Sequence, residues 1–524
     1  KRISLNASII ISITIIFLLL FGIYKAIAKI DFKYFLSIAG DELQTDAFNH
    51  TNFLILGTGG ANHEGGDLTD TIIVASMDNQ DKLVTMMSIP RDLWIKDSLI
   101  GNFKINEFYY YAKEHYGSNT KGIEHTKEKI EEVVGIPIHY YVQIDFKGFT
   151  ELVDAMGGID VYVQEAIYDP YYPKDGTIFY ETFSIPAGDQ HLDGETALKY
   201  ARSRKTTSDF DRARRQQQII YATKERALQT EIIFSKDKIT ELLNTLKNNI
   251  ETNVTVKEIL TLGSMAADYS EENITQRFIH DDQYSCGGFL YTPIREAFGG
   301  LFVLLPAGGI EYVHQYANYT FNYPKSSHKI TSIHLLNGTK TNYVATETKQ
   351  VLRRFCFEIP GFGNASTQDI EYTTYYYLPK HDENGTVIQE RPVALDYLQT
   401  IIPGRESTTP PQEYMSEGYF TDAEIVLEMG RDYIESPNYI EDPFYNLEYQ
   451  LWTPGSDEED DDDDEEESDE DEEGESDDNE NGETSDEGAA DESIPTEEVP
   501  VVPEPPPAPT PEETPPAADP PPDS

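Results

Sequence analysis

Three short blocks concentrate the residue types that can do chemistry. The first, Gly65-Gly66-Asp67-Leu68-Thr69-Asp70-Thr71, sets two carboxylates three apart on a glycine-containing loop just ahead of an apolar run. Asp67 and Asp70 offer hard oxygen ligands with room for close approach, which suits a divalent cation. Taken alone, the loop reads better as a turn with solvated charge, because short acidic loops are common at turns. The second block, Ser88-Ile89-Pro90-Arg91-Asp92, closes the next apolar run and leads to Lys104-Ile105-Asn106-Glu107. An arginine at a strand end is well placed to fork onto a pair of phosphate oxygens. The competing reading of Arg91 is a surface pair with Asp92, which is common and contributes little.

The third block is the most informative. It runs Tyr200-Ala201-Arg202-Ser203-Arg204-Lys205 and then Ser208-Asp209-Phe210-Asp211-Arg212-Ala213-Arg214-Arg215-Gln216-Gln217. On an extended segment Arg202 and Arg204 point to one side. On a helix Arg212 and Arg215 share a face near the N-terminus, where free N–H groups and the positive dipole end also lie. Arginines massed there oppose that dipole unless an anion such as pyrophosphate is bound between them. Five arginines fall between Arg202 and Arg215 of an otherwise acidic chain. An anionic ligand therefore accounts for them better than a solvated basic face.

These blocks need elements to hold them. Between residues 51 and 310, short apolar runs alternate with helical patterns, as in an α/β layer domain. Strands are predicted at Phe53–Leu56, Thr71–Ala75, Leu83–Met87, Tyr140–Ile144 and Ile159–Val163. Helices are predicted at Ile123–Val134, Phe146–Met156 (closed by Gly157-Gly158) and Asp211–Leu228. A second, smaller unit spans 329–434, opening with a strand at Ile330–Leu336 and a turn at Asn337-Gly338.

Composition bounds the setting. The 524 residues carry a net charge of −54, which argues against nucleic acid as a partner because phosphate binding needs a basic surface. About a third of the acidic residues follow Thr453, where no Lys or Arg occurs. Residues 455–524 grade from an Asp/Glu run into Pro-rich sequence, with too few apolar groups to fold, so a disordered tail is expected. At the other end, Ile3–Tyr24 is uncharged and long enough to cross a bilayer. Residues 1–30 thus read as an uncleaved membrane anchor, with Ala26-Ile27-Ala28 a weak cleavage site, and 31–50 as a linker. Lysines flank the run on both sides, so charge alone gives no orientation. Cys286 and Cys356 could form one bond outside the cytoplasm, but two unrelated thiols are the preferred reading. Asn-x-Ser/Thr sequons such as those at Asn253 and Asn337 read as chance.

Seven ordered segments carry a resemblance. They are Asp67–Ile72, Ser88–Asp92, Lys104–Asn106, Gly135–Val142, Val153–Val161, Gln190–Arg204 and Asp209–Gln217. Together they resemble the LytR-CpsA-Psr family of cell-envelope proteins. The unit at 329–434, through His334–Thr339 and Ala423–Tyr433, is more loosely similar to the small LytR-type C-terminal domain often appended to that family. The resemblance implies a single-pass membrane protein with its catalytic domain outside the cytoplasm. Its fold would be α/β, a central mixed sheet with helices on both faces and an apolar tunnel for a polyprenyl tail, beside a small α/β C-terminal domain. Its activity would be transfer of a phosphorylated glycopolymer from a polyprenyl-pyrophosphate carrier to a cell-wall acceptor such as peptidoglycan, with Mg²⁺.

Residue by residue, Asp67 and Asp70 match the carboxylates near the metal and pyrophosphate. Arg91, Arg202, Arg204, Arg212 and Arg215 match phosphate-contacting arginines, and Asp209 the carboxylate that orients them. Lys104 and Gln216 lie in matching segments and join the substrate-binding set. Leu68 departs from the pattern, since many members carry arginine there. Asp70 or Asp209 could take the acceptor proton, and sequence does not choose between them. Tyr109, Tyr110, Phe146, Phe149 and Leu152 could line a lipid tunnel, although ordinary core is the better reading of any one. Two other classes fit the same residues: a non-catalytic glycolipid-binding surface protein, and a hydrolase of the carrier pyrophosphate.

Overall fold

Apolar runs that bury both faces make the central strands. In the computed structural model, residues 42–447 are described apart from 61–62, 64, 175–178, 204–208, 230–243, 245–249, 267, 382–386, 390, 438 and 445–446. The expected anchor at 1–30, most of the linker at 31–50 and the acidic tail at 455–524 lie outside the described residues. Among the described residues, no helix is long and apolar enough to cross a membrane.

Six strands form the main sheet: β1 (His50–Thr58), β2 (Thr69–Asp78), β3 (Leu83–Ser88), β4 (Tyr140–Asp145), β5 (Ile250–Thr252) and β6 (Ile274–Phe278). Their order is β5-β4-β1-β2-β3-β6. Pairing is parallel for β1–β4 and β3–β6 and antiparallel elsewhere, so the sheet is mixed. Along β1, Leu54 and Leu56 enter one apolar cluster while Phe53 and Ile55 enter another, the period-2 alternation of a strand covered twice. Helices α1 (Ile105–Tyr116) and α2 (Asn119–Val134) cover the first face through Ile105, Phe108, Ala112, Ile123 and Ile130. Both stop at a left-handed glycine, Gly117 or Gly135, as C-cap geometry requires.

Three further helices are described between β4 and β5. Helix α3 (Phe146–Ala155) starts where Asp145 caps the Gly148 N–H, and α4 (Gly194–Arg202) starts under Asp193. Helix α5 (Asp209–Leu228) packs its middle onto a third cluster with Val153, Ile159 and Tyr200. The α4 assignment corrects the sequence reading: Tyr200–Arg202 is helical, not extended, so no strand-like alternation orients Arg202. Asp193 side-chain capping and a Glu195–Lys199 pair along the helix supply the local reason.

A second sheet follows α6 (Ile310–Asn322). Its strands are β7 (Ser332–Asn337), β8 (Glu358–Asn364), β9 (Thr374–Tyr377), β10 (Arg405–Ser407) and β11 (Ile425–Met429), in the order β8-β7-β11-β9-β10. Helix α7 (Val344–Arg354) crosses from β7 to β8, which pair in parallel. One continuous apolar cluster joins the two sheets, running from Leu54 and Ile72 through Phe289, Tyr316 and Phe355 to Leu335 and Leu427. Cys286 and Cys356, 70 residues apart, form a disulfide across this junction. The reading of two unrelated thiols was therefore wrong. The physical reason is the docking of the second sheet, which brings the turn after α7 against the loop that follows β6.

Candidate active site

Antiparallel pairing explains why two blocks some twenty residues apart meet. Ile73 on β2 faces Ser88 on β3, so the start of β2 and the continuation of β3 lie at one edge of the sheet. The Ile89 N–H donates to the Ile72 carbonyl at 2.9 Å and extends that alignment. Asp70 and Arg91 consequently meet, with Arg91 Nη1 donating to Asp70 Oδ1 at 3.3 Å. Asn106, at the start of α1, donates from Nδ2 to the same oxygen at 3.1 Å. Its Oδ1 is buried and has no hydrogen-bond partner. Arg91 Nε also donates to Asp92 at 3.3 Å, and Lys104 Nζ donates to the other Asp92 oxygen at 2.8 Å. The result is an alternating chain Asp70–Arg91–Asp92–Lys104 that is neutral overall.

Helix α5 brings the third block to this edge. Gln217, fully buried, donates from Nε2 to Ser88 Oγ at 2.8 Å. That contact fixes the helix against β3 and lets Arg212 and Gln216 reach a cavity of about 560 Å³ shared with Asp70 and Arg91. The cavity is also lined by residues the sequence reading passed over: His280, Asp281, Asp282 and Ser285, after β6, together with Phe302.

The expected residues do not all converge there. Asp67 pairs with Lys113 at 2.7 Å, because the Gly65-Gly66 turn folds tightly. A Cβ on Gly66 would lie 2.1 Å from the Gly60 carbonyl oxygen. Lys104 is held by Asp92 and does not line the cavity. Arg202 stacks on Phe146 at 4.1 Å and approaches His63 Nε2 at 3.3 Å. Phe146 follows Asp145, which faces Thr58 on β1, and Thr58 in turn faces Thr69 on β2. Arg202 therefore belongs to the same sheet edge as Asp70. Arg204 lies outside the described residues, and for Asp209 only the backbone, at the start of α5, is described.

Arg215 behaves differently from Arg212. Both are buried, but Arg215 lines a separate cavity of about 750 Å³ on the other flank of α5, with Arg214 and Arg277. Its Nε donates to the Tyr200 carbonyl at 2.9 Å and its Nη2 to the Ser203 carbonyl. Burial holds this guanidinium below its ordinary pKa and pushes the neighbouring Tyr200 hydroxyl up. Arg215 thus ties α5 to the end of α4, the helix that carries Arg202. Of the tunnel candidates, Tyr109 is core, with burial raising its hydroxyl pKa to about 12, whereas Tyr110 is exposed.

Beside Arg91 a metal would find the Asp70 carboxylate open. The Asp70 side chain is 44% exposed toward the cavity, and the orphaned Asn106 carbonyl oxygen belongs to the side chain bonded to it. Among the described residues, no group of three or more His, Cys, Asp or Glu side chains could hold a metal. Such a donor set suits Mg²⁺, which takes one or two carboxylates and completes its shell with water and substrate phosphate oxygens.

The LytR_cpsA_psr family model matches residues 28–296, just over half of the chain. Residues of the chain are 34% identical over 211 positions to the polyisoprenyl-teichoic acid–peptidoglycan teichoic acid transferase TagV of Bacillus subtilis, covering 39% of this chain and 50% of that protein. They are 31% identical over 245 positions to the TagU transferase of Oceanobacillus iheyensis, covering 46% of this chain and 70% of that protein. The crystal structure of B. subtilis TagV is similar at 26% identity and a TM-score of 0.41, covering 53% of this chain and 99% of that one. The chain spans about half the length of the first of these relatives. With its family model matched across more than half its length, the chain belongs to the LytR-CpsA-Psr family.

Proposed function

We propose that this protein transfers a phosphorylated glycopolymer from a polyprenyl-pyrophosphate carrier to a hydroxyl of a cell-wall acceptor, using Mg²⁺. The observation that carries the reading is one cavity shared by Asp70, Arg91, Arg212 and Gln216. The names of the relatives, which are teichoic acid transferases to peptidoglycan, support it.

The chemistry asks for charge control more than for a covalent intermediate. An acceptor oxygen attacks the phosphorus nearest the glycan, the bond to the bridging pyrophosphate oxygen breaks, and polyprenyl phosphate leaves. Arg212 and Gln216 donate to the phosphoryl oxygens as charge develops on them. Arg91 is engaged by Asp70 and Asp92. Arg91 would be free to bond phosphate if a bound cation faced Asp70 in its place. Bound Mg²⁺ would supply that charge and neutralise the leaving phosphate. Asp70 lines the cavity and would accept the hydroxyl proton, Asp209 being the alternative named from sequence. Arg202, on the same sheet edge, extends the clamp.

The uncharged run at Ile3–Tyr24 and the Cys286–Cys356 bond support a membrane-anchored protein with this domain outside the cytoplasm, where disulfides persist. The test is a labelled polyprenyl-pyrophosphate-linked glycan incubated with peptidoglycan. Label should move to the wall only when acceptor is present. Release of free phosphoglycan at the same rate with and without acceptor would make the protein a hydrolase. Donor binding with no turnover would make it a binding protein.

A further inference from the structure

The second sheet has no part in the chemistry just described, yet it grips one wall of the cavity. After β6, the Ile279 N–H still pairs with the Ser88 carbonyl at 3.1 Å. The chain then leaves the sheet as a loop, 280–288, whose residues His280, Asp281, Asp282 and Ser285 face the cavity. Within the loop, His280 Nε2 donates to the Cys286 carbonyl at 2.8 Å and Nδ1 accepts from the Asp282 N–H at 3.1 Å. Ser285 Oγ donates to Asp282 Oδ2 at 2.8 Å. The imidazole therefore serves as a strut within the loop.

Three further ties come from the end of α7 and the turn after it. Cys356 is bonded covalently to Cys286. Arg354 Nε donates to the Gln283 carbonyl at 2.8 Å, and the Arg354 carbonyl accepts from the Gly287 N–H at 2.9 Å. The Arg354 side chain is 1% exposed. A guanidinium that deep must be fully bonded to be tolerated. Asp442 meets it with both oxygens, at 2.8 and 3.2 Å. The corner at Arg354–Cys356 thus holds the loop by one covalent bond and two hydrogen bonds.

We propose that Arg354 and the Cys286–Cys356 disulfide are positioning residues for the transfer reaction, fixing the 280–288 loop as the acceptor-side wall of the cavity. The inference rests on the functional reading above. Pyrophosphate is drawn to Arg91 and Arg212 and repelled by Asp281 and Asp282, which are exposed and line the same cavity. Carboxylates there accept hydrogen bonds from the hydroxyls of a sugar acceptor. Phe302, 37% exposed on the same cavity, offers an apolar face to its ring. The second sheet is by this account part of the enzyme, because it sets where the attacking oxygen is held.

The test uses the full chain, a short polyprenyl-pyrophosphate-linked N-acetylglucosamine as donor and soluble peptidoglycan fragments as acceptor. In the C286S/C356S double variant and in Arg354→Met, the acceptor KM should rise at least fivefold while the donor Kd stays within twofold. Where those variants do not fold, the surface pair D281N/D282N, with the disulfide intact, should raise the acceptor KM by a similar factor. An unchanged acceptor KM in D281N/D282N, or a donor Kd that rises in step with it, would overturn the assignment. Absence of transfer by the unaltered protein, with the donor still bound, would instead overturn the functional reading and this inference with it.

Discussion

Arg215 and Arg91 separate two kinds of arginine that look alike in sequence. Replacing Arg215 with alanine deprives the Tyr200 and Ser203 carbonyls of their donors, at the end of the helix that carries Arg202. An unsatisfied buried carbonyl costs about 1–3 kcal/mol, and removing a desolvated charge returns part of the sum. The net loss should be about 3 kcal/mol, or about 3–6 °C in the thermal midpoint for a body of this size. Arg91 is 25% exposed, bonded to two carboxylates, and lines the cavity. Its loss should move the midpoint little. It should remove a charge-assisted phosphate contact of about 1.5–3 kcal/mol, a fall of about 10- to 150-fold in kcat/KM. The assay is differential scanning fluorimetry on both variants beside donor titration and transfer kinetics. Arg215→Ala with an unchanged midpoint and a tenfold weaker donor would refute the reasoning, making Arg215 a phosphate contact and not a clamp.

Other outcomes follow from the same structure. Breaking Cys286–Cys356, which closes 70 residues, should cost about 4 kcal/mol by the chain-entropy relation, checked as a lower midpoint for C286S/C356S without reductant present. Burial lowers the pKa of His139, His328 and His334 from the ordinary 6.5. The unfolded chain then binds protons that the native one refuses, so stability is full above about pH 6.5 and declines as pH falls through the lowered values. Midpoints at pH 7.5 and 5 check this, and a more stable protein at pH 5 would contradict it. Deleting residues 455–524 should leave both midpoint and transfer rate nearly unchanged, since the segment is acidic, Pro-rich and poor in apolar groups. A large fall in either would mean that it docks on the body.

How much of this was legible in the sequence varied with the reach of the interaction. The strand cores around Leu54, Val74 and Met87 were legible because runs buried on both faces are apolar throughout. The meeting of Asp70 with Arg91 was foreshadowed by both sitting at ends of consecutive apolar runs. The parting of Arg212 and Arg215 was not. Residues three apart share a helix face, but α5 is wedged between two cavities, and one small rotation separates them. The helical state of Tyr200–Arg202 was missed because its signal, Asp193 capping Thr196, lies outside the block that drew attention. Neither the Cys286–Cys356 pairing nor the wall at Asp281 and Asp282 could be read from local pattern. Both depend on how the second sheet docks.

If Asp70 and the arginines around it hold a pyrophosphate together with a divalent ion, each ligand should tighten the other. The most direct test is an equilibrium titration of a soluble polyprenyl-pyrophosphate glycan against the protein and its Asp70→Asn variant, with Mg²⁺ and with chelator. Mg²⁺ should tighten donor binding, donor should tighten Mg²⁺ binding by the same factor, and both effects should largely vanish in Asp70→Asn. Equal donor affinity in Mg²⁺ and in chelator, with full transfer after all divalent ions are removed, would contradict that coupling and return Asp70 to the role of a turn residue paired with Arg91.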